Sequence, residues 1–357
     1  MPNVSIADFR DFSNRIFQAV GATPDDASII TESLLFASLR GHDSHGAGHM
    51  PLYIQNYLGR GFSINKEYKP RIINETPATI AVDADFGLGQ KVCMDVTEKV
   101  IEKAKTMGIA AGTVGKNTHN GALAYYIDRI VSNDMIGLAF TGSGACAPPW
   151  GGVERMLGTN PIGIGVPAGQ EYPIIIDMAT SSATWMGLLP KLMHGDPIPE
   201  GTLLDDDGNP TTDPAKFTTP AQRGETRGAM NNMAGNHKGY AIQLAVEMLG
   251  GIFPGMLNGN EATGGGRLTT PMFIIAINVS FFQDLQAFKD KVDSRIREIK
   301  NSKKRKGVDE ILIPGERGFK LQEKRLRDGI PIPDAYWKQI QDLAAELNVA
   351  MPELAAA

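Results

Sequence analysis

Of the six histidines in the chain, three fall within the stretch GHDSHGAGH: His42, His45 and His49. Two kinds of chemistry are open to such a cluster. Oxidising an alcohol to a ketone by hydride transfer needs a base for the hydroxyl proton and an acid for the reverse step. Imidazole, with an ordinary pKa near ~6.5, serves both. Ser44 directly precedes His45, and the glycines around it leave room for a ring exposed in a cleft. The other chemistry is metal ligation, because positions 42, 45 and 49, with Asp43, would share one face of a helix. Gly41, Gly46 and Gly48 break such a helix, so no metal is expected. A plain surface loop would use the same residues.

His119 is the second candidate. It lies in GKNTHNGALAYY, between a strand pattern and a helix pattern, where α/β proteins place ligand-binding groups. Asn117 and Asn120 flank it. The alternative there is a helix cap, with Asn120 as N-cap and His119 merely adjacent. His194 and His237 stand near the two ends of a long segment and carry less weight by themselves.

The elements that must position these groups are read from periodicity. Residues 5–40 predict two helices, the second opened by Pro24 and Asp25. A helix from Met50 to Leu58 stops at Gly59 and Gly61. Ile72 to Val82 reads as strands, and GQKVCMDVTEKVIEKAKTMG as one long helix ending at Gly108. Strand, helix and strand patterns follow in IAAGTV, GALAYYIDRIVSN and MIGLAFTG, then two apolar runs, NPIGIGVPA and YPIIIDMA. Residues 194–236 are rich in Gly, Pro, Asp, Thr and Asn and predict a long functional or mobile loop. KGYAIQLAVEMLGGI predicts a helix, PMFIIAINVSFF a strand, 284–300 a charged helix, NSKKRKG a basic turn, and ILIPG a last strand before terminal helices.

A glycine-rich dinucleotide turn is absent. GSGACAPPWGG carries Pro148 and Pro149 where a helix should start, and GIGVPAG carries Pro167. GLGQKV opens a helix but lacks the third glycine. TGGGR leads into a strand pattern. A Rossmann domain is therefore not expected.

Composition sets the bounds. The chain has 357 residues, 42% apolar and 21% charged, enough for two or three well-packed lobes. Thirty-five basic against 40 acidic residues give a net charge of −5, a poor match to nucleic acid or an anionic membrane. Two cysteines, Cys93 and Cys146, make no disulfide framework. Asp and Arg interrupt the N-terminal stretch, and no apolar run approaches a membrane span. The expected location is cytoplasmic.

Six stretches, in order, resemble the malate/L-lactate dehydrogenase family that lacks a Rossmann fold. They are RGHDSHGAGHMPLYIQNYLGRG (40–61), THNGALAYY (118–126), GGVERMLGTNPIGIGVPA (151–168), IIIDMATSSATWMG (174–187), NHKGYAIQLAVEML (236–249) and ILIPGERG (311–318). The group includes ureidoglycolate, sulfolactate and 2,3-diketogulonate-type dehydrogenases and a piperideine-carboxylate reductase. The resemblance implies an α/β fold like that of L-sulfolactate dehydrogenase, with a non-Rossmann, mixed-sheet nicotinamide-binding domain over residues 76–284. A helical, substrate-side domain would form from residues 1–75 and about 285–357, and two chains would make a homodimer.

The same resemblance implies hydride transfer between NAD or NADP and C2 of a small 2-hydroxy or 2-oxo acid. His45 and His119 would face the reacting carbon, either of them as the acid/base, with Ser44 orienting a ring. Asp177, Met178, Ala179, Thr180 and Ser181 would hold the cofactor, with His237 and Lys238 beside them and the lysine charge near phosphate or ribose. Asn120, Gly121, Ser143 and the turn Pro314, Gly315, Glu316 would add contacts. Without the resemblance, the DMATS stretch reads as a strand end with a helix cap, and HKG as a helix start with an exposed lysine. Two features depart from the family pattern. His49 stands where an arginine commonly grips the substrate carboxylate, and imidazole cannot copy the guanidinium fork. The acid group is then expected at His49 or Tyr53. The stretch 221–235 is longer than usual. Three rival functions stand beside this one: reduction of a cyclic imine carboxylate, a metal-dependent hydrolase or lyase using His42, His45 and His49, and a binding protein without turnover.

Overall fold

The computed structural model describes residues 1–185, 187–188, 191, 195–217, 228–255 and 268–354. His194, the TGGGR stretch and residues 221–227 lie outside them.

Seven strands form one mixed sheet. They are β1 (Arg71–Glu75), β2 (Thr79–Asp83), β3 (Ile109–Gly115), β4 (Met135–Thr141), β5 (Ile162–Val166), β6 (Ile174–Met178) and β7 (Met272–Asn278), in spatial order β1-β2-β3-β7-β4-β5-β6. β2 and β3 run parallel, and the other neighbours are antiparallel. The period-2 pattern explains the faces. On β7, Met272, Ile274 and Ala276 are fully buried. They pack under α4 (Gly89–Met107) and α5 (Leu123–Val131), whose apolar stripes Val92, Val96, Val100 and Leu123, Ile127, Ile130 complete that core.

The first three helices are α1 (Ile6–Ala19), α2 (Pro24–Leu39) and α3 (Met50–Tyr57). Ser5 and Thr23 cap the first two through the N–H groups of Asp8 and Asp26. Before the last strand comes α6 (His237–Val246), and after it α7 (Leu285–Lys300), α8 (Glu316–Asp328) and α9 (Asp334–Glu346). Phe9, Phe12, Ile16, Leu34, Met50 and Ile54 share one apolar cluster with Ile330, Ile340 and Leu343, so the two ends of the chain meet in a single helical core. Arg40 pins this core to the sheet layer. Its guanidinium lies between the rings of Phe36 and Phe319, 4.3 and 4.2 Å from their centroids, and 2.8 Å from Asp128 on α5.

Three segments differ from the sequence expectation. ILIPG forms no strand: Pro314 has no N–H, and the Glu316 carboxylate takes the N–H of Ile313 at 3.1 Å. The helix predicted over KGYAIQLAVEMLGGI widens into a π-helix at Glu247–Ile252. There Gly250 presses on the Phe140–Thr141 backbone, where an added Cβ would lie 2.5 Å from main-chain atoms. The long segment 194–236 is partly ordered. Residues 203–204, 210–211 and 229–230 pair as a small sheet, and Ile198, Leu203, Phe217 and Met230 pack with Cys146 into a satellite core.

Candidate active site

The strand registers gather many connections at one end of the sheet. Met272 pairs with both Val114 and Thr141, and Ile162 with both Phe140 and Met178. The ends of β2, β3, β4 and β6 and the starts of β5 and β7 therefore lie together. The loops of residues 84–88, 116–122, 142–147, 158–161 and 179–181 open there. Strand ends at such an edge leave backbone and side chains free to meet a ligand.

Into this edge the α2–α3 connection carries the histidine cluster. The connection is held by Ser38, whose hydroxyl accepts the N–H of Ala47 at 2.8 Å. The rings of His45, His49 and His119 stack. Their centroids are 5.8 Å apart for His45–His49, 5.5 Å for His45–His119 and 4.8 Å for His49–His119. Tyr53, one turn along α3, closes the group 4.7 Å from His49. His45 and His119 are half-buried, while His49 and Tyr53 lie behind them at 4% and 6% exposure. Ser44 Oγ is 2.9 Å from His45 Nδ1.

Hydrogen-bond chemistry assigns two of the rings. Nδ1 of His119 receives the backbone N–H of Gly121 at 3.3 Å, so it is an acceptor, and the Tyr53 hydroxyl at 2.7 Å donates to it. The neutral His119 ring then carries its hydrogen on Nε2. Nδ1 of His49 lies 2.8 Å from the Ser44 carbonyl, which can only accept, so His49 carries its hydrogen on Nδ1. Burial pushes all three rings down. His45 falls to about 4, with His49 and His42 adding to the shift and Asp177 opposing it. His49 also falls to about 4, against the bond to Ser44. His119 sits well below its ordinary value, with the other two rings adding to burial. Near neutral pH the cluster is three neutral imidazoles.

Gln90 belongs to the same neighbourhood, although nothing in its sequence context marks it. It is the second residue of α4, fully buried, with neither amide atom bonded among the described residues. It sits beside Tyr53, whose phenol is pushed up by burial. Gly89 lets the helix start against the His119 loop, since a Cβ there would lie 2.2 Å from the Thr118 carbonyl oxygen.

The other expected residues fall into one network, with an exception. Asp177, next to last in β6, accepts the N–H of Ala124 at 2.8 Å, so it caps α5. Asn120 is not that cap: its amide turns inward to Thr141 and the Thr270 carbonyl. Ser143 Oγ is 2.9 Å from Thr159 Oγ1, and Thr180 donates to the carbonyls of Thr159 and Asn160. Ser181 bridges to Asn232, and Met233 N donates to the Thr180 carbonyl. That ties Met178–Ser181 to the start of α6, where Asn236 caps the helix and His237 and Lys238 stand exposed. A lysine at the positive end of a helix suits a phosphate-bearing group. The exception is the turn Pro314–Glu316. It packs on β6 through the Ile175 N–H, and the Glu316 carboxylate is engaged by Lys300 and Lys320 at 2.5 and 2.9 Å. Among the described residues, no group of three or more His, Cys, Asp or Glu is placed to hold a metal ion.

Among the described residues the fold is a mixed α/β sheet with no glycine-rich phosphate turn and with paired histidines at its loop end, which sets it apart from the Rossmann class. Comparison with known proteins gives the family. The model of the malate/L-lactate dehydrogenase family matches residues 4–341. L-sulfolactate dehydrogenase of Methanocaldococcus jannaschii is 38% identical over 337 residues, 94% of each chain. Its solved structure superposes with a TM-score of 0.86 at 36% identity, covering 98% of both chains. Malate dehydrogenase of Pyrococcus abyssi is 34% identical, over 95% of this chain and 93% of its own. The crystal structure of malate dehydrogenase from Entamoeba histolytica matches with a TM-score of 0.92 at 29% identity, over 98% of this chain and 99% of that one. The chain belongs to the malate/L-lactate dehydrogenase family and is a hydroxy-acid dehydrogenase.

Proposed function

We propose that the chain transfers a hydride reversibly between NAD(P) and C2 of a small 2-hydroxy or 2-oxo acid, with the proton handled by His45 and His119. The observation that carries this reading is the meeting of the two half-buried rings, 5.5 Å apart, from segments far apart in sequence. Malate and sulfolactate, named by the relatives, are the substrate type it fits.

A bound nicotinamide supplies or accepts the hydride. Asn120, Gly121, Ser143, Met178–Ser181, His237 and Lys238 would hold it, with Lys238 facing its anionic part. Oxidation begins with the hydroxyl proton. His45 is neutral near pH 7 and is therefore in its base form, and Asp177 favours the charged ring that results. His119 presents an N–H at Nε2, fixed there by Tyr53 and Gly121, and this hydrogen meets the substrate oxygen as negative charge develops. Ser44 holds the orientation of His45. A homodimer is supported by the exposed apolar surface of α6 and the π-helix, where Ile242, Ile252 and Phe253 stand at 41, 39 and 62% exposure.

The double variant His45→Gln/His119→Gln tests the assignment. Turnover of 2-oxo acids should vanish while NADH binding stays within a fewfold of the parent. Full turnover in the double variant would overturn it.

A further inference from the structure

His49 is buried against the half-buried rings of His45 and His119, and its Nε2 has no hydrogen-bond partner among the described residues. Because Nδ1 donates to the Ser44 carbonyl, the neutral ring offers a bare lone pair at that orphaned atom. Buried polar atoms are ordinarily bonded, so an orphan among these rings points to a ligand or water that completes it. A lone pair cannot hold a carboxylate, but a protonated Nε2 can, through a charge-assisted hydrogen bond.

We propose that His49 takes up a proton from solvent at Nε2 as the substrate's carboxylate binds, so that the acid's counter-charge is made in the act of binding and lost on release. This rests on the reading of the cluster as a 2-oxo acid site. No bond other than N–H forms or breaks: free site, carboxylate and proton combine to one imidazolium–carboxylate pair.

The surroundings agree. The titratable groups around His49 are His45 and His119, stacked on it, and Tyr53 from its own helix. Asp177 and His42 act on His45, and Asp43 is tied to Arg325 at 2.9 Å. Tyr336 of α9 packs against Gly48. None of these gives Nε2 a hydrogen bond. Burial keeps the empty site's ring neutral, with a pKa of about 4, and an adjacent anion raises it.

The probe is oxamate, an unreactive 2-oxo acid mimic, titrated calorimetrically into the NADH-loaded enzyme in two buffers of different ionisation enthalpy. Wild type should take up one proton more per oxamate than His49→Gln, and its Kd should weaken by up to about tenfold per pH unit above the empty site's pKa. His49→Arg, which brings its own charge, should bind oxamate with one proton fewer than wild type. Equal proton uptake in wild type and either variant, or a wild-type Kd flat from pH 5.5 to 8, overturns the proposal alone. Failure of wild type to bind both NADH and oxamate overturns the functional reading and this proposal with it.

Discussion

The Tyr53 hydroxyl lies 2.7 Å from Nδ1 of His119 and acts as its donor. This bond joins the helical core formed by the chain ends to the loop that follows β3. It also sets which nitrogen of His119 carries the hydrogen. Tyr53→Phe keeps the ring's packing and the Gly121 N–H but removes the shorter bond. Loss of one neutral hydrogen bond is worth about 0.5–1.5 kcal/mol, so kcat should fall roughly threefold to tenfold. NADH affinity should not change. Steady-state kinetics with direct cofactor titration checks both, and an unaltered kcat would contradict the tautomer assignment.

Gln90 poses a conflict between stability and function. A buried amide left without hydrogen bonds costs about 1–3 kcal/mol of desolvation, and among the described residues neither amide atom of Gln90 has a partner. Gln90→Met keeps the length and removes that cost. Urea unfolding should show the variant no less stable than the parent, and about 1 kcal/mol more stable if repacking is clean. Its kcat/KM for a 2-oxo acid should drop, because the amide sits beside Tyr53. A clear loss of stability would show that the amide is bonded in the native protein.

The histidine cluster makes stability depend on pH. In the unfolded chain each ring has an ordinary pKa near ~6.5, while in the folded chain His45 and His49 lie at about 4 and His119 is also depressed. Between these values the unfolded state binds more protons. Stability is therefore full above pH ~6.5 and is lost as pH falls toward ~4, by about 1.4 kcal/mol per pH unit for each ring. Denaturant titrations from pH 8 to 4.5 measure the slope. His49→Gln should lower it by close to one ring's share, and an unchanged slope would show that His49 is not held neutral by the fold.

Much of this was legible in the residues. The strands around Ile109–Gly115 and Met272–Asn278 and the amphipathic α4 follow from period and from Gly108. The failure of every glycine motif correctly excluded a Rossmann turn. What the sequence could not show depends on contacts between distant segments. Asn120 looks like a helix cap by spacing, but the Asp177 carboxylate arrives from β6 and takes that role. Glu247–Ile252 reads as plain helix, because the pressure of Gly250 on β4 is a tertiary fact. Gln90 is silent in sequence, since only the fold reveals that its amide is buried without a partner among the described residues. His49 was visible as a departure from a family pattern, but its tautomer required the Ser44 carbonyl to be located.

The central claim is hydride transfer to C2 of a 2-oxo acid. The direct measurement supplies NADH or NADPH deuterated at the transferable C4 position, together with oxaloacetate, sulfopyruvate or pyruvate, and analyses the product by mass spectrometry and NMR. The expected product is a 2-hydroxy acid carrying one deuterium at C2, formed in step with cofactor oxidation. Cofactor oxidation that leaves C2 free of deuterium, or no oxidation with any acid despite tight cofactor binding, would contradict it.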